Sequence, residues 1–211
     1  MSDRPERDPD TGLPSRISKD EINQFPLVRF SGKIHVVRNQ GELGKAAQIL
    51  EGTDVVGFDI ESKPTFRKGE NHPVALLQLA TSNHAFLIQL SPIDDLGPIR
   101  DFMENEKVVK TGVALRDDIK KLSEKHPFEP KSFIELDAMA SKLSIVTTGL
   151  RSLSAIFLDR RISKGAQLSN WERRNLTPSQ LNYAATDAWI SREIYLAMKP
   201  YLKKLEEKES E

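Results

Sequence analysis

The apolar positions of this chain follow two rhythms, one with the two-residue period of strands and one with the 3.6-residue period of helices. Short apolar runs typical of strands lie at 34–37, 55–60, 75–80, 85–90 and 108–111. Ser82 and Asn83 separate two neighbouring runs as a turn, so these runs are expected to pair as an antiparallel hairpin. Helical periodicity covers 42–50, the stretch from the last strand through Leu122, and most of the chain from Glu135 onward, with breaks at 147–149 and 160–176. Because strands come first and helices dominate later, the pattern predicts an α/β layered domain with a mixed sheet.

The two ends of the chain differ from its middle. Residues 1–24 are polar and contain three prolines, which predicts a mobile N-terminal leader. Residues 203–211 are almost all charged and are expected to be the fraying end of a helix. No stretch between these ends has the composition of a linker, so residues 25–202 are predicted to form a single domain.

Composition narrows the classes of function. The 31 Lys and Arg balance the 31 Asp and Glu, which excludes a protein that holds nucleic acid or anionic membrane by bulk positive charge but leaves a local basic groove open. The chain has no cysteine, which excludes thiol nucleophiles, cysteine zinc sites and disulfides and fits a reducing compartment. No apolar run approaches the ~20 residues of a membrane span, and the N-terminus has no apolar signal core. We therefore expect a cytoplasmic protein that does not enter a membrane.

Common cofactor and nucleophile motifs are missing from the sequence. It has no G-x-G-x-x-G, P-loop, H-E-x-x-H or G-x-S-x-G segment. The four histidines, His35, His72, His84 and His126, are scattered without the spacing of metal ligands. Any catalytic chemistry is therefore expected to depend on other residue types.

Two acids end an apolar strand, where further apolar residues would be expected. Strand alternation places Asp59 and Glu61 on one face and Phe58 and Ile60 on the other. Carboxylates this close repel each other, and a divalent cation is the usual way to stabilise them when they are buried. A D-x-E pair is nevertheless short and common. Taken alone, it favours a solvated strand end whose acids face water or pair with nearby basic residues.

Acids at two further places in the sequence shift the interpretation from a solvated strand end toward a cation site. Asp117 and Asp118 begin the helix after the last strand, although acids there also suit the positive end of the helix dipole. Tyr183 and Asp187 are four residues apart on a later helix, so they share one face. The alanines around them would let this helix pack closely on another element. On this evidence alone, a face that only packs explains the pair equally well.

Together these residues resemble the three motifs of the DEDDy 3′–5′ exonucleases, the ribonuclease D and Werner exonuclease-like group of the DnaQ-like superfamily. Asp59-Ile60-Glu61 resembles the first motif, and Tyr183-Ala184-Ala185-Thr186-Asp187 resembles the third. An acid behind the turn at Gly112 resembles the second, and the spacing from that glycine favours Asp118 over Asp117. Two segments between these motifs also resemble the family. Gly149-Leu150-Arg151-Ser152-Leu153 resembles its helix entry, and Lys164, Gln167 and Trp171 resemble its K-x-x-Q-x-x-x-W segment.

The resemblance covers about residues 25–200 and implies both a fold and an activity. The fold is a ribonuclease H-like three-layer α/β domain, with a mixed central sheet of about five strands flanked by helices. The activity is removal of nucleotides from the 3′ end of single-stranded or 3′-ended DNA or RNA, releasing nucleoside 5′-monophosphates. Because the chain ends soon after the third motif, a stand-alone catalytic domain is expected.

The resemblance also implies two divalent cations, Mg²⁺ or Mn²⁺, and no organic cofactor. Both are hard ions that prefer carboxylate oxygen. On the family pattern, Asp59, Glu61 and Asp187 hold the ion that activates water, and Asp59 bridges to a second ion held with Asp118. Tyr183 orients the attacking water, since a phenol with a pKa near ~10 is a poor base at neutral pH.

Substrate contacts are expected from a locally basic region. Residues 107–174 carry 14 Lys and Arg against 8 Asp and Glu. Arg151, Lys164, Arg173 and Arg174 are candidate phosphate contacts, and Phe66 and Trp171 are candidate base-stacking side chains. The alternatives are a solvated basic surface for the cations and a core anchor beneath a loop for the tryptophan.

Two other functions stay open. A different ribonuclease H-like nuclease that cuts internally would share the acids but would not predict the Tyr183–Asp187 pair. A binding or scaffold protein that has lost activity would have no chemical reason to keep four mutually repelling acids.

Overall fold

A computed structural model describes residues 7–9, 11–65, 67 and 72–210 of the chain. Its elements, in chain order, are α1 (Lys19–Gln24), β1 (Lys33–Val37), α2 (Gln40–Leu50), β2 (Val55–Ser62), β3 (Val74–Ala80), β4 (His84–Gln89), α3 (Pro98–Glu104), β5 (Val109–Gly112), α4 (Leu115–Lys125), β6 (Phe133–Glu135), α5 (Leu136–Lys142), α6 (Leu150–Leu158) and α7 (Pro178–Glu209). Over these described residues the strands form one sheet in the order β1-β4-β3-β2-β5-β6. The sheet is mixed because β3 runs antiparallel to β2 and β4, whereas the other neighbours are parallel.

Helices cover both faces of the sheet and give three layers. On one face, Phe58 of β2 belongs to a buried cluster with Leu43 of α2, Ile99 of α3 and Leu122 of α4. On the other face, α7 packs across β2, β3 and β4, with α5 and α6 beside it. The alternation along β2 therefore sends its large apolar side chains to the first face and leaves the second face to α7. This confirms the predicted three-layer α/β fold with a mixed sheet.

The long helix α7 has a well-defined start. Thr177 caps it, accepting from the backbone N–H of Gln180, while the Gln180 side chain accepts from the Thr177 backbone N–H. Pro178 occupies the first helical turn, where a missing N–H costs nothing. The helix extends into the charged C-terminal segment as far as Glu209. Among the helices that the structure describes, none is both long and apolar enough to cross a membrane.

Three elements, β6, α3 and α1, were not expected from the sequence. The sheet has six strands in the described residues instead of about five, and the additional strand is Phe133–Glu135 at its edge. Three residues are too few to show a two-residue alternation, and pairing with β5 is what orders them. Helix α3 was also missed, since its seven residues begin at Pro98 and bury Ile99 and Met103 without a long apolar pattern.

The described part of the predicted leader differs from the sequence expectation. Leu13 is buried in a cluster with residues of α5 and α7. The backbone N–H of Val146 donates to the carbonyl of Ser15 at 2.7 Å. Ser18 and Glu21 form a capping box that begins α1. Residues 11–24 therefore pack against the domain instead of forming a mobile leader. The average composition of this segment is polar, but the burial of Leu13 and the capped helix α1 are enough to order it.

Candidate active site

The close approach of α7 to β2 brings two of the acidic motifs together. A β-carbon built on Gly57 would overlap the carbonyl oxygen of Ala188, so the two backbones meet where glycine leaves room. Ala188 of α7 is fully buried at this contact. Asp59, two residues beyond Gly57, faces the same side of the sheet, and Asp187 is next to Ala188 on the helix. The small residues thus set the two carboxylates against each other.

The second motif enters from the N-terminus of α4. Ala114, which precedes the helix, has a left-handed backbone with φ of 58° and makes no side-chain cap. The cap comes from Glu135, whose carboxylate accepts from the backbone N–H of Leu115 at 3.1 Å and of Arg116 at 2.9 Å. Asp118 lies half-buried on the site side of this first turn, and Asp117 is exposed. Glu135 therefore holds the turn that carries Asp118.

Tyr183 and Asp187 share one face of α7, one turn apart. A hydrogen bond from the phenol to the carboxylate is among the influences that raise the pKa of Tyr183, after burial and the charge of Asp187. The same hydrogen bond lowers the pKa of Asp187 against the larger opposing effect of burial. Because its pKa is raised, the phenol stays protonated at neutral pH and donates to the Asp187 carboxylate.

The four acids influence one another's ionisation. Burial first, then the charges of Asp187, Glu61 and Asp118, raise the pKa of Asp59 well above its usual value. Burial, Asp187 and Asp118 raise the pKa of Glu61 from 4.5 to about 8. Burial raises the pKa of Asp118 to about 7, with Lys121 opposing the shift, and burial raises the pKa of Asp187 to about 7. Without a cation, these carboxylates resist being ionised together.

The donor set fits hard divalent cations. All four acids offer carboxylate oxygens, which Mg²⁺ and Mn²⁺ prefer. Among the residues that the structure describes, Oδ1 of Asp187 is buried without a hydrogen-bond partner, so it is available as a ligand atom. In the part of the chain that the structure describes, no three His, Asp or Glu side chains form a ready-made cluster around one point. The acids are close enough to repel each other but are not already arranged as a ligand shell.

The acids open onto a cleft of about 470 Å³. Asp59, Glu61, Tyr183 and Asp187 line it, whereas Asp118 does not line it and acts through its charge on Asp59 and Glu61. A smaller cavity of about 240 Å³ continues from Tyr183 and Asp187 and is also lined by Arg29 and Asn182.

The predicted substrate contacts separate into three groups. Arg151 and Lys164 line the cleft, where Arg151 also hydrogen-bonds Asn23. Arg174 lines a different cavity. Phe66 lies outside the described residues.

Trp171 is not a stacking surface in this structure, contrary to that expectation. Its side chain has no solvent exposure and is packed with Leu76, Leu87 and Ala184. Its ring centroid lies 5.9 Å from that of Tyr183. The structure instead agrees with the alternative interpretation of the sequence, in which the tryptophan anchors the loop to the core. In this position it also packs against the ring of Tyr183.

Two residues of the site were missed by reasoning from the sequence. Gln78 pairs with Asp59 across the sheet, is fully buried, and has no hydrogen-bond partner for either amide atom in the described structure. Its signal was a single polar residue in the otherwise apolar run 75–80. Glu135 had no local signal, because its capping partners lie about twenty residues earlier in the chain.

Comparison with known proteins agrees with this geometry. A family model described as 3′–5′ exonuclease matches residues 34–203. The chain is 29% identical over 199 residues to a 3′–5′ exonuclease of Arabidopsis thaliana, covering 87% of this chain and 69% of that protein. It is 34% identical over 152 residues to the mouse bifunctional 3′–5′ exonuclease/ATP-dependent helicase WRN, covering 69% of this chain and 11% of that protein. Among solved structures, the Aedes aegypti Nibbler EXO domain superposes with a TM-score of 0.75 at 24% identity, covering 84% of this chain and 94% of that one, which shows a shared fold.

Proposed function

The chain belongs to the 3′–5′ exonuclease family, hydrolases that act on nucleic acid, and from this premise we propose that it removes nucleotides from the 3′ end of a DNA or RNA strand. The products are nucleoside 5′-monophosphates, and the reaction uses two Mg²⁺ or Mn²⁺ ions. The observation that carries the proposal is the meeting of Asp59, Glu61 and Asp187 with Tyr183 at one cleft.

The four acids have distinct tasks in this proposal. Asp59, Glu61 and Asp187 would hold one ion, and Asp59 would share the second with Asp118. When bound, a pair of divalent cations lowers the pKa of the attacking water and stabilises charge on the phosphoryl and leaving 3′ oxygens. The raised pKa values favour this use, because cations bind the ionised acids and relieve their repulsion.

The remaining residues orient and hold the substrate. Tyr183 keeps its proton, so it positions the attacking water and the Asp187 carboxylate by hydrogen bonding without accepting the proton. Arg151 and Lys164 supply positive charge where the phosphates of the strand would enter the cleft. The cytoplasmic location stays a prediction from the sequence, based on the absence of an apolar signal core and of an apolar run long enough to span a membrane.

The deciding experiment uses oligonucleotides labelled at the 5′ end, as matched DNA and RNA strands with free and blocked 3′ termini. A ladder that shortens from a free 3′ end, requires Mg²⁺ or Mn²⁺ and disappears in Asp187→Asn supports the proposal. Internal cuts that persist with a blocked terminus would instead indicate an endonuclease. No cutting, together with no thermal stabilisation by millimolar Mn²⁺, would indicate a scaffold protein.

A further inference from the structure

The cavity that Arg174 lines shares no lining residue with the acidic cleft and begins at the same end of the sheet's inner strands. It has a volume of about 660 Å³. Val74 at the start of β3 lines it, and Val74 pairs with Ser62, the neighbour of Glu61, across the sheet. Adjacent strands are ~4.8 Å apart, so the cavity begins about one strand away from the end of β2. This cavity is here called the β3 cavity.

Cations from three separate parts of the chain surround the β3 cavity. They are Arg38 after β1, Lys125 at the end of α4, and Arg174 before α7. The Arg38 guanidinium is held by Gln89, whose side-chain oxygen accepts from Nε at 2.7 Å. The acid among the lining residues, Glu172, lies 3.7 Å from Nζ of Lys63 and is partly neutralised by it. The cavity therefore has an excess of positive charge.

The walls of the β3 cavity are otherwise largely apolar. Pro73, Val74, Ala75 and Pro92 contribute to them, with Trp171 behind. The indole N–H of Trp171 is buried without a hydrogen-bond acceptor in the described structure, a donor that an incoming oxygen atom would satisfy. Three cations over an apolar wall suit a ligand that combines phosphate with a flat apolar group.

We infer that the β3 cavity binds a nucleotide, with its phosphate at Arg38, Lys125 and Arg174 and its base against the proline walls. This inference rests on the proposed function, which supplies two sources of the same chemistry. One is a nucleotide of the substrate strand whose 3′ end lies in the acidic cleft. The other is the released nucleoside 5′-monophosphate.

The test compares Lys125→Gln/Arg174→Gln, which removes two exposed cations from the cavity, with Lys203→Gln/Lys204→Gln, which removes the same charge near the other end of α7. Binding of a labelled dodecanucleotide is followed by fluorescence anisotropy in EDTA over a range of salt. Binding of AMP is followed by calorimetry. Neither measurement needs turnover, so dinucleotide hydrolysis with Mg²⁺ can test the proposed function separately.

If the cavity holds a nucleotide of the strand, the cavity variant binds the dodecanucleotide on the order of tenfold more weakly. Its slope of log K against log salt then becomes shallower by about 1.4, since each single-strand phosphate contact contributes ~0.7. If the cavity holds free product, AMP binding is lost in the cavity variant and kept in the control. If the two double variants behave alike in both measurements, the inference is wrong.

A separate observation concerns Gln78. Its neighbours on the same face of β3, Leu76 and Ala80, pack against alanines of α7. Gln78 therefore lies between the sheet and α7, directly across from Asp59, with its amide nitrogen and oxygen both unpaired in the described residues. Cross-strand side chains on one face have β-carbons ~5 Å apart, within reach of a hydrogen bond. An amide left unpaired inside a folded protein calls for a functional reason.

We also infer that Gln78 is a positioning residue for the acidic cleft, and that its amide N–H donates to the Asp59 carboxylate when this carboxylate holds a cation. Hydrogen bonds to ligating carboxylates orient them and strengthen metal binding. Gln78→Met keeps the volume and removes the amide. It is expected to raise the melting temperature of the metal-free protein, because an unpaired buried amide is lost, and to weaken Mn²⁺ binding about 10- to 100-fold.

Mn²⁺ binding is measured directly by electron paramagnetic resonance, without substrate. Leu76→Met, a volume-conserving change on the same face, is the control and should bind Mn²⁺ as the wild type does. Equal Mn²⁺ affinity in Gln78→Met and wild type would show that Gln78 has no role at the site. If Gln78 is a positioning residue, Gln78→Met gains stability and loses Mn²⁺ affinity. If Gln78 is merely structural, the substitution lowers both the stability and the Mn²⁺ affinity.

Discussion

The carbonyl oxygen of Ala188 on α7 occupies the space that a β-carbon on Gly57 of β2 would need. Asp59 lies two residues from one partner of this contact, and Asp187 lies next to the other. The distance between the two carboxylates is thus controlled by a backbone contact and not by the acids themselves. Like charges would otherwise push the helix and the strand apart.

Gly57→Ala is therefore expected to damage both stability and catalysis. The added methyl group must displace backbone of α7, which should lower the free energy of unfolding by roughly 2–3 kcal/mol. Gly44→Ala is the control, since Gly44 lies inside α2 with open space around it, and this change should stabilise by about 0.5–1 kcal/mol. Chemical denaturation measures the free energy of unfolding of both variants. A Gly57→Ala protein as stable and active as wild type would show that α7 can move without affecting the site.

Asp117 and Asp118 offer a matched pair of neighbouring acids. Asp118 is half-buried and its charge acts on Asp59 and Glu61, whereas Asp117 is exposed. Asp118→Asn should lower kcat with Mg²⁺ on the order of 100-fold, because one of the proposed metal ligands is lost. Asp117→Asn should stay within about twofold, as expected for a surface change. Steady-state hydrolysis of a short oligonucleotide measures kcat for both variants. Equal losses of kcat would contradict the choice of Asp118 over Asp117 as the acid of the second motif.

Much of the site followed from short-range periodicity. The two-residue period of β2 correctly put Asp59 and Phe58 on opposite faces, and the helical period put Tyr183 and Asp187 on one face. Such patterns depend on a few neighbouring residues, so the sequence displays them directly.

Features that depend on distant residues were not predictable in the same way. The cap that Glu135 provides for α4 joins residues about twenty positions apart. The burial of Trp171 depends on how the loop before α7 folds onto β3 and β4, since Leu76 and Leu87 of those strands surround it. The contact between Gly57 and Ala188 joins residues from opposite halves of the chain. Each is a consequence of tertiary packing, which local periodicity does not encode.

Tyr183→Phe tests whether the phenol orients water or removes a proton. With its pKa raised by burial and by Asp187, the phenol is protonated throughout the neutral range. The variant should lose about 100-fold in kcat, as expected for one positioned hydrogen bond, and keep Mn²⁺ affinity within about threefold at mildly alkaline pH. The pH–rate profile of the residual activity of Tyr183→Phe should keep the shape of the wild-type profile. Loss of the limb in which the rate rises with pH would identify Tyr183 as the general base.

The raised pKa values of the acids predict how stability depends on pH when no metal is present. The pKa of Glu61 rises to about 8, and those of Asp118 and Asp187 rise to about 7. Between the ordinary values near ~4 and these raised values, the folded protein keeps protons that the unfolded chain has released. Stability decreases with pH wherever the folded state binds more protons, so the free energy of unfolding should fall from about pH 5 to about pH 8.

Divalent cations should change the sign of this dependence. Mg²⁺ binds the ionised acids, so its affinity increases as the protons leave, and the stabilisation it provides grows over the same pH range. Melting temperatures in EDTA and in saturating Mg²⁺ should therefore diverge as the pH rises. Asp187→Asn removes one of the titrating acids and its charge on Asp59 and Glu61, so the EDTA curve of this variant should be flatter than that of wild type. A wild-type protein that in EDTA becomes more stable toward pH 8 would mean that these carboxylates are not buried together.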